Sequence, residues 1–73
     1  ASLLNVRTGA GTNYSIVPYS KLTTSAKNKI KALNGGKSAN GYILGLTFSV
    51  TEVKGSWGRT PSGWVCLDYC KKI

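Results

Sequence analysis

The closing part of the chain alternates with period two and is cut at short intervals by turn residues. That pattern restricts the fold more tightly than any other feature of the sequence. Leu46, Phe48 and Val50 point one way and Thr47, Ser49 and Thr51 the other, with Val53 following a shift of phase at Glu52. Such a slip marks a bulge or a bend in the strand. Lys54-Gly55-Ser56 then reads as a hairpin turn, Trp57 to Thr60 as the return strand, Pro61-Ser62-Gly63 as a second turn and Trp64 to Leu67 as a last strand. Strands of four to seven residues joined by Gly-bearing turns have the spacing of a small antiparallel barrel. With 73 residues there is room for one domain, 1–73. A single core of this size supplies only about 3–5 kcal/mol, so close packing or a staple is expected.

Upstream, Ser2 to Arg7 reads as a first strand, with Leu4 and Val6 on one face and Leu3 and Asn5 on the other. Thr8 to Asn13 is a loop, where two Gly admit positive φ and Thr and Asn side chains can bond the local backbone. Tyr14 to Tyr19 resumes an extended apolar stretch. Pro18 cannot donate to a ladder, which makes this piece an edge or an irregular arm. The period then changes. Leu22, Ala26, Ile30 and Leu33 recur at helical spacing, Thr23 or Thr24 can cap the start, and Asn34-Gly35-Gly36 supplies a left-handed stop. This predicts a helix over residues 23–33 with Lys27 and Lys31 on one exposed face. So short a helix is marginal alone, and its apolar stripe must dock on a sheet.

Missing side chains limit the chemistry. There is no His, two Cys cannot close a four-ligand zinc site, and the only carboxylates are Glu52 and Asp68. A Ser or Cys nucleophile has no base to hand, and no catalytic context surrounds the two acids. No catalytic residue, metal or cofactor is expected, and the domain should bind something. The net charge of +8 points to a negatively charged partner. Lys21, Lys27, Lys29, Lys31 and Lys37 fall in one window, and Lys71 and Lys72 close the chain. A solvated face is the plain reading of that window; nucleic acid, an anionic membrane or a phosphate-rich bacterial wall are the sharper ones. The longest run without charge, Ser38 to Thr51, contains Asn40, Gly41 and Gly45, so no membrane span is expected. Nor is a signal peptide. The start at Ala1 without Met suggests a fragment or a processed module of something larger.

Three pieces stand in order: Leu4-Asn5-Val6-Arg7-Thr8-Gly9-Ala10-Gly11-Thr12-Asn13-Tyr14, then Gly45-Leu46-Thr47-Phe48-Ser49-Val50, then Trp57-Gly58-Arg59-Thr60-Pro61-Ser62-Gly63-Trp64-Val65. Together they resemble the bacterial SH3-like domain, the wall-targeting module of phage endolysins, autolysins and related peptidoglycan hydrolases. The resemblance covers nearly the whole chain. Residues about 21 to 42 depart from the commonest pattern, since a short link becomes a lysine-rich helix, as in a variant common in clostridial and phage lysins. The resemblance implies an all-β fold, a small SH3-like antiparallel β-barrel of five to seven short strands with one helix inserted after Tyr19. It also implies a non-catalytic module that holds an enzyme domain of the same parent chain on peptidoglycan, by a stem peptide or cross-bridge, with anionic wall polymers as further partners. The place of action would be the bacterial wall or the extracellular space, after a cytoplasmic stage if the parent is a phage endolysin.

On that reading a shallow groove lies between the opening loop and the closing hairpin. Tyr14, Tyr19 and Trp57 would offer apolar faces there, and Asn13 and Arg59 polar contacts. Each has a plainer use: Asn13 can cap its own turn, the tyrosines can cover the open end of the barrel, and Arg59 can pair with Glu52 or Asp68. Trp57 is expected at the groove rim, Trp64 mostly packed, and Arg7 in a structural role. Cys66 and Cys70 are expected as free, largely buried thiols, because a bridge would close a tiny loop and a lysin made in the cytoplasm carries reduced thiols. A basic barrel binding single-stranded nucleic acid is the alternative, but the lysines cluster on the helix while the aromatics lie on the strands. A signalling SH3 reading Pro-rich segments would need an acidic loop that this chain lacks. A purely structural spacer would bind no partner at all.

Overall fold

The turn residues of the closing segment fold as tight hairpins. In the computed structural model, which describes residues 3–70, strands β3 (Glu52–Lys54), β4 (Trp57–Thr60) and β5 (Gly63–Cys66) form an antiparallel sheet in that order. Lys54 pairs with Trp57 and Thr60 with Gly63, so each connection is a two-residue loop, Gly55-Ser56 and Pro61-Ser62. A second, two-stranded antiparallel sheet pairs β1 (Leu3–Leu4) with β2 (Tyr42–Ile43). The first strand is shorter than the expected run from Ser2 to Arg7; Ser2 lies outside the described residues. Past Asn5 the chain leaves β2 and changes partner: Arg7 bridges Trp64 on one side and Ile16 on the other. Arg7 N–H donates to the Trp64 carbonyl at 2.7 Å and Trp64 N–H returns the bond at 2.8 Å, while Val17 N–H donates to the Val6 carbonyl. The opening segment thus serves both sheets.

Gly63 makes that approach possible. Its φ of 147° disfavours an L side chain, and a Cβ there would lie 2.6 Å from the Arg7 carbonyl oxygen. The stretch Leu46 to Val50 departs from the expected strand. It pairs with nothing as a regular ladder, although Leu46 and Phe48 are still half-buried towards the core and Thr47, Ser49 and Thr51 exposed. Phe48 spends its packing on Tyr42, stacked at 4.7 Å between ring centroids, rather than on a neighbouring strand. Ladder pairing begins only near Glu52, where the sequence changes phase.

The helix forms where the spacing puts it. Helix α1 spans Thr24–Leu33, Thr23 caps it by accepting from Ala26 N–H, and Gly36 N–H closes the far end on the Lys31 carbonyl. It packs on β2 and buries Ala26 and Ile30 beside Val6, Val17, Leu22, Tyr42 and Val65. Leu33, the last residue of the expected stripe, is about half exposed, because the helix ends before its final turn reaches covering residues. The helix start is tied to the β4–β5 loop: Thr23 N–H donates to Ser62 Oγ, and Ser62 Oγ–H donates to Thr23 Oγ1. Across the core, the Thr60 hydroxyl donates to the Gly63 carbonyl at 2.8 Å, so the buried Tyr42 hydroxyl, 2.7 Å away, donates to Thr60. Thr23→Ala removes the cap and the hydroxyl bond from Ser62, and leaves the backbone N–H bond to Ser62 Oγ in place. Urea titration should show it less stable by about 1–2 kcal/mol, and a loss below about 0.3 kcal/mol would contradict the pairing.

Candidate functional site

Directly opposed residues of antiparallel neighbours share a face. The register therefore lines up Ile16, Arg7, Trp64, Arg59 and Glu52 as one row across the outer side of the β3–β4–β5 sheet and its Arg7 extension. Beside it runs a second row, Cys66, Trp57 and Lys54. The intervening residues Gly58, Thr60 and Val65 are buried on the opposite, core side. One face thus gathers two indoles and three cationic side chains with a single carboxylate. At about 4.8 Å per strand, the first row runs roughly 19 Å, the length of an extended peptide of five or six residues.

The two indoles are half-buried, each with a surface left open. Lys54 Nζ stands 5.7 Å from the centroid of the Trp64 ring. Arg59 reaches Glu52 at 3.7 Å, with both side chains well exposed. An exposed pair of that length is worth little, so the guanidinium can turn to a carboxylate brought by a ligand. Arg7 has the structural role expected of it: its Nη1 donates to the carbonyls of Thr12 and Tyr14 at 3.1 and 2.9 Å. Those bonds hold the opening loop against the sheet edge.

The opening motif has a steric cause. The Tyr14 ring lies flat enough on Gly9 that a Cβ there would sit 2.5 Å from the ring carbons. Only Gly permits that approach without a shift. Tyr14 keeps about half of its surface exposed. Asn13 is exposed beside it, its Oδ1 poised over Gly11.

The structure brings Trp57 and Arg59 onto one face and places Asn13 and Tyr14 on the loop that Arg7 anchors to that sheet. Tyr19 sits elsewhere. It starts the 3-10 turn Tyr19–Lys21, packs against the core, and its hydroxyl donates to the Lys27 carbonyl of α1 at 3.4 Å. Trp64, Lys54 and Ile16 were not among the expected contact residues. The signal was the loop length: read as two residues rather than three, Pro61-Ser62 sets Thr60 opposite Gly63 and hence Trp64 opposite Arg59. Trp64 is mostly packed, as expected, with part of its surface still open.

Cys66 and Cys70 are free and partly buried. Cys70 follows the 3-10 turn Leu67–Tyr69 and donates its thiol to the Cys66 carbonyl at 3.4 Å. Burial, and then the neighbouring Cys66, push the Cys70 thiol above its ordinary pKa. Because the folded state holds this proton more tightly, stability is unaffected below the unfolded thiol's pKa and falls as pH rises from there to the folded value. Thermal melts from pH 7 to pH 10 should show a decline above about pH 8.5 that Cys70→Ala reduces. An identical decline in that variant would assign it to other groups.

Among the described residues no group of three or more Cys, Asp or Glu is placed to hold a metal, and no helix is long and apolar enough to cross a membrane. Comparison with models of protein families, with curated proteins and with solved structures finds no match, so the site is interpreted from its residues alone.

Proposed function

We propose that the chain is a bacterial SH3-like module, its two sheets curling about the shared core as a small barrel, and that it binds peptidoglycan without catalysing a reaction. The single observation that supports this most is the outer sheet face, with Trp57 and Trp64 set diagonally and Arg7, Arg59 and Lys54 between and beside them. Open indole faces take up the apolar sides of sugars and short peptides, and a guanidinium offers a fork to a peptide carboxylate. The motifs of the opening loop and closing hairpin add to the reading, because each has a defined place beside this face. Tyr14 and Asn13 extend the surface past the sheet edge. A shallow face of this kind binds modestly, and tethering to an enzyme in the same parent chain raises that enzyme's concentration at the wall.

The test is sedimentation of the 73-residue chain with sacculi stripped of their anionic polymers by acid, at low and at high salt. Binding that persists in both is the expected result. Failure to sediment with stripped sacculi at physiological salt would remove the proposal.

A further inference from the structure

The sheet face leaves most of the positive charge unused. Lys27 and Lys31 lie one turn apart on α1, a like-charged spacing that costs a helix stability. Both ammonium groups nevertheless stand over the same aromatic ring, 5.8 and 6.0 Å from the Tyr19 centroid. That ring is fixed from below. Its hydroxyl bonds the Lys27 carbonyl, and its backbone N–H donates to Asn40 Oδ1 at 3.0 Å. Lys21, exposed, belongs to the same 3-10 turn as Tyr19. Among the described residues no carboxylate pairs with these lysines: Glu52 engages Arg59, and Asp68 lies in the turn after β5. Lys29 points elsewhere, donating to the Thr47 carbonyl at 3.2 Å.

We infer that Tyr19, Lys27 and Lys31, with Lys21 beside them, form a second binding site, for the phosphate groups of a linear, base-free polyanion. Two ammonium groups gathered over one anchored ring present several N–H donors to a phosphate and lose little freedom on binding it. Further phosphates along the same strand meet Lys21 and the exposed Lys37, and each neutralised charge releases counterions. A nucleic acid fits less well. Single strands are held by bases stacking on open aromatic faces, and here the one ring at the site is half-buried and already covered by two ammonium groups. The identification of the polyanion as a polyol-phosphate polymer of the wall rests on the wall-binding proposal; the site's preference for a base-free chain of phosphates does not.

Fluorescence anisotropy with labelled long-chain inorganic polyphosphate, and with oligo(dT) of matched charge, over a series of salt concentrations tests this directly. The double variant Lys27→Gln/Lys31→Gln should bind polyphosphate at least 10-fold more weakly at low salt. Its slope of log Kd against log salt should fall by about 1.4, at about 0.7 per lost contact. An equal loss of charge outside the site, Lys29→Gln/Lys54→Gln, should cost no more than about a third of that effect on a logarithmic scale. Trp57→Ala should leave polyphosphate binding unchanged. Equal weakening in both lysine doubles would mean diffuse attraction and would overturn the site, as would tighter binding of oligo(dT) than of polyphosphate. Sedimentation with polymer-stripped sacculi reads the sheet face separately, so failure there with polyphosphate binding intact would remove the wall reading and leave this site standing.

Discussion

Ile30→Ala should leave little folded protein at 37 °C. Ile30 has no exposed surface and stands where α1 closes over Val6, Val17 and Val65. Removing three buried carbons from such a position costs about 2–5 kcal/mol, the transfer of the side chain plus the cavity left behind. A core of this size supplies about 3–5 kcal/mol in all, so the loss matches the whole margin. Among the described residues nothing staples the chain, since both cysteines are free. Ile30→Val, which keeps the branch and loses one methyl, should cost only about 0.5–1.5 kcal/mol. Thermal unfolding followed by far-UV circular dichroism checks the pair. The melting temperature of the alanine variant should fall by more than 10 °C, at about 4–8 °C per kcal/mol for a domain of this length. A fall of only a few degrees would mean that the helix is an ornament on the sheets and not the lid of their core.

Trp57→Ala should weaken binding to polymer-stripped sacculi by about 30-fold or more with the fold intact, the loss typical of a central aromatic anchor at about 2 kcal/mol. Trp64→Ala should act in the same direction, because its ring lies diagonally across the same face. Leu44→Ala is the control: it is the most exposed large apolar residue of the described chain and lies outside the sheet face, so its binding should match the parent. Loss in the tryptophan variants matters only if their melting curves stay close to the parent. Wall binding undiminished in both would remove the face from the account.

Much of this was legible in the sequence where a local rule had no tertiary competitor. Helix α1 appeared within a residue of its expected start because Thr23 is a good N-cap, Gly35 and Gly36 both take positive φ, and Ala26 and Ile30 share a face. The closing strands were legible because Gly and Pro punctuate them. Long-range pairing was harder to read. The expected alternation holds for Leu46 and Phe48, which turn inward, but not for Val50, which is exposed, and the stretch joins no regular ladder; Phe48 stacks on Tyr42 instead. Arg7 meets Ile16 across its own loop but Trp64 across nearly the length of the chain, and no local pattern announces the second pairing. For the candidate site, Trp57 and Arg59 were placed together by their own spacing, whereas Trp64 joined them only through the length of one loop. Tyr19 left the group because a 3-10 turn after Pro18 points it to the helix, and proline followed by a turn is ambiguous in sequence alone.

In the proposed function one sheet face, and not the lysine helix, holds the wall peptide. Backbone and indole N–H NMR signals followed during titration with soluble, polymer-free peptidoglycan fragments test it most directly. The expected shifts concentrate at Arg7, Trp57, Arg59 and Trp64, both indoles included, with the residues of α1 unmoved. Shifts confined to Tyr19 and residues 24–33, or no shifts at any fragment concentration, would contradict it.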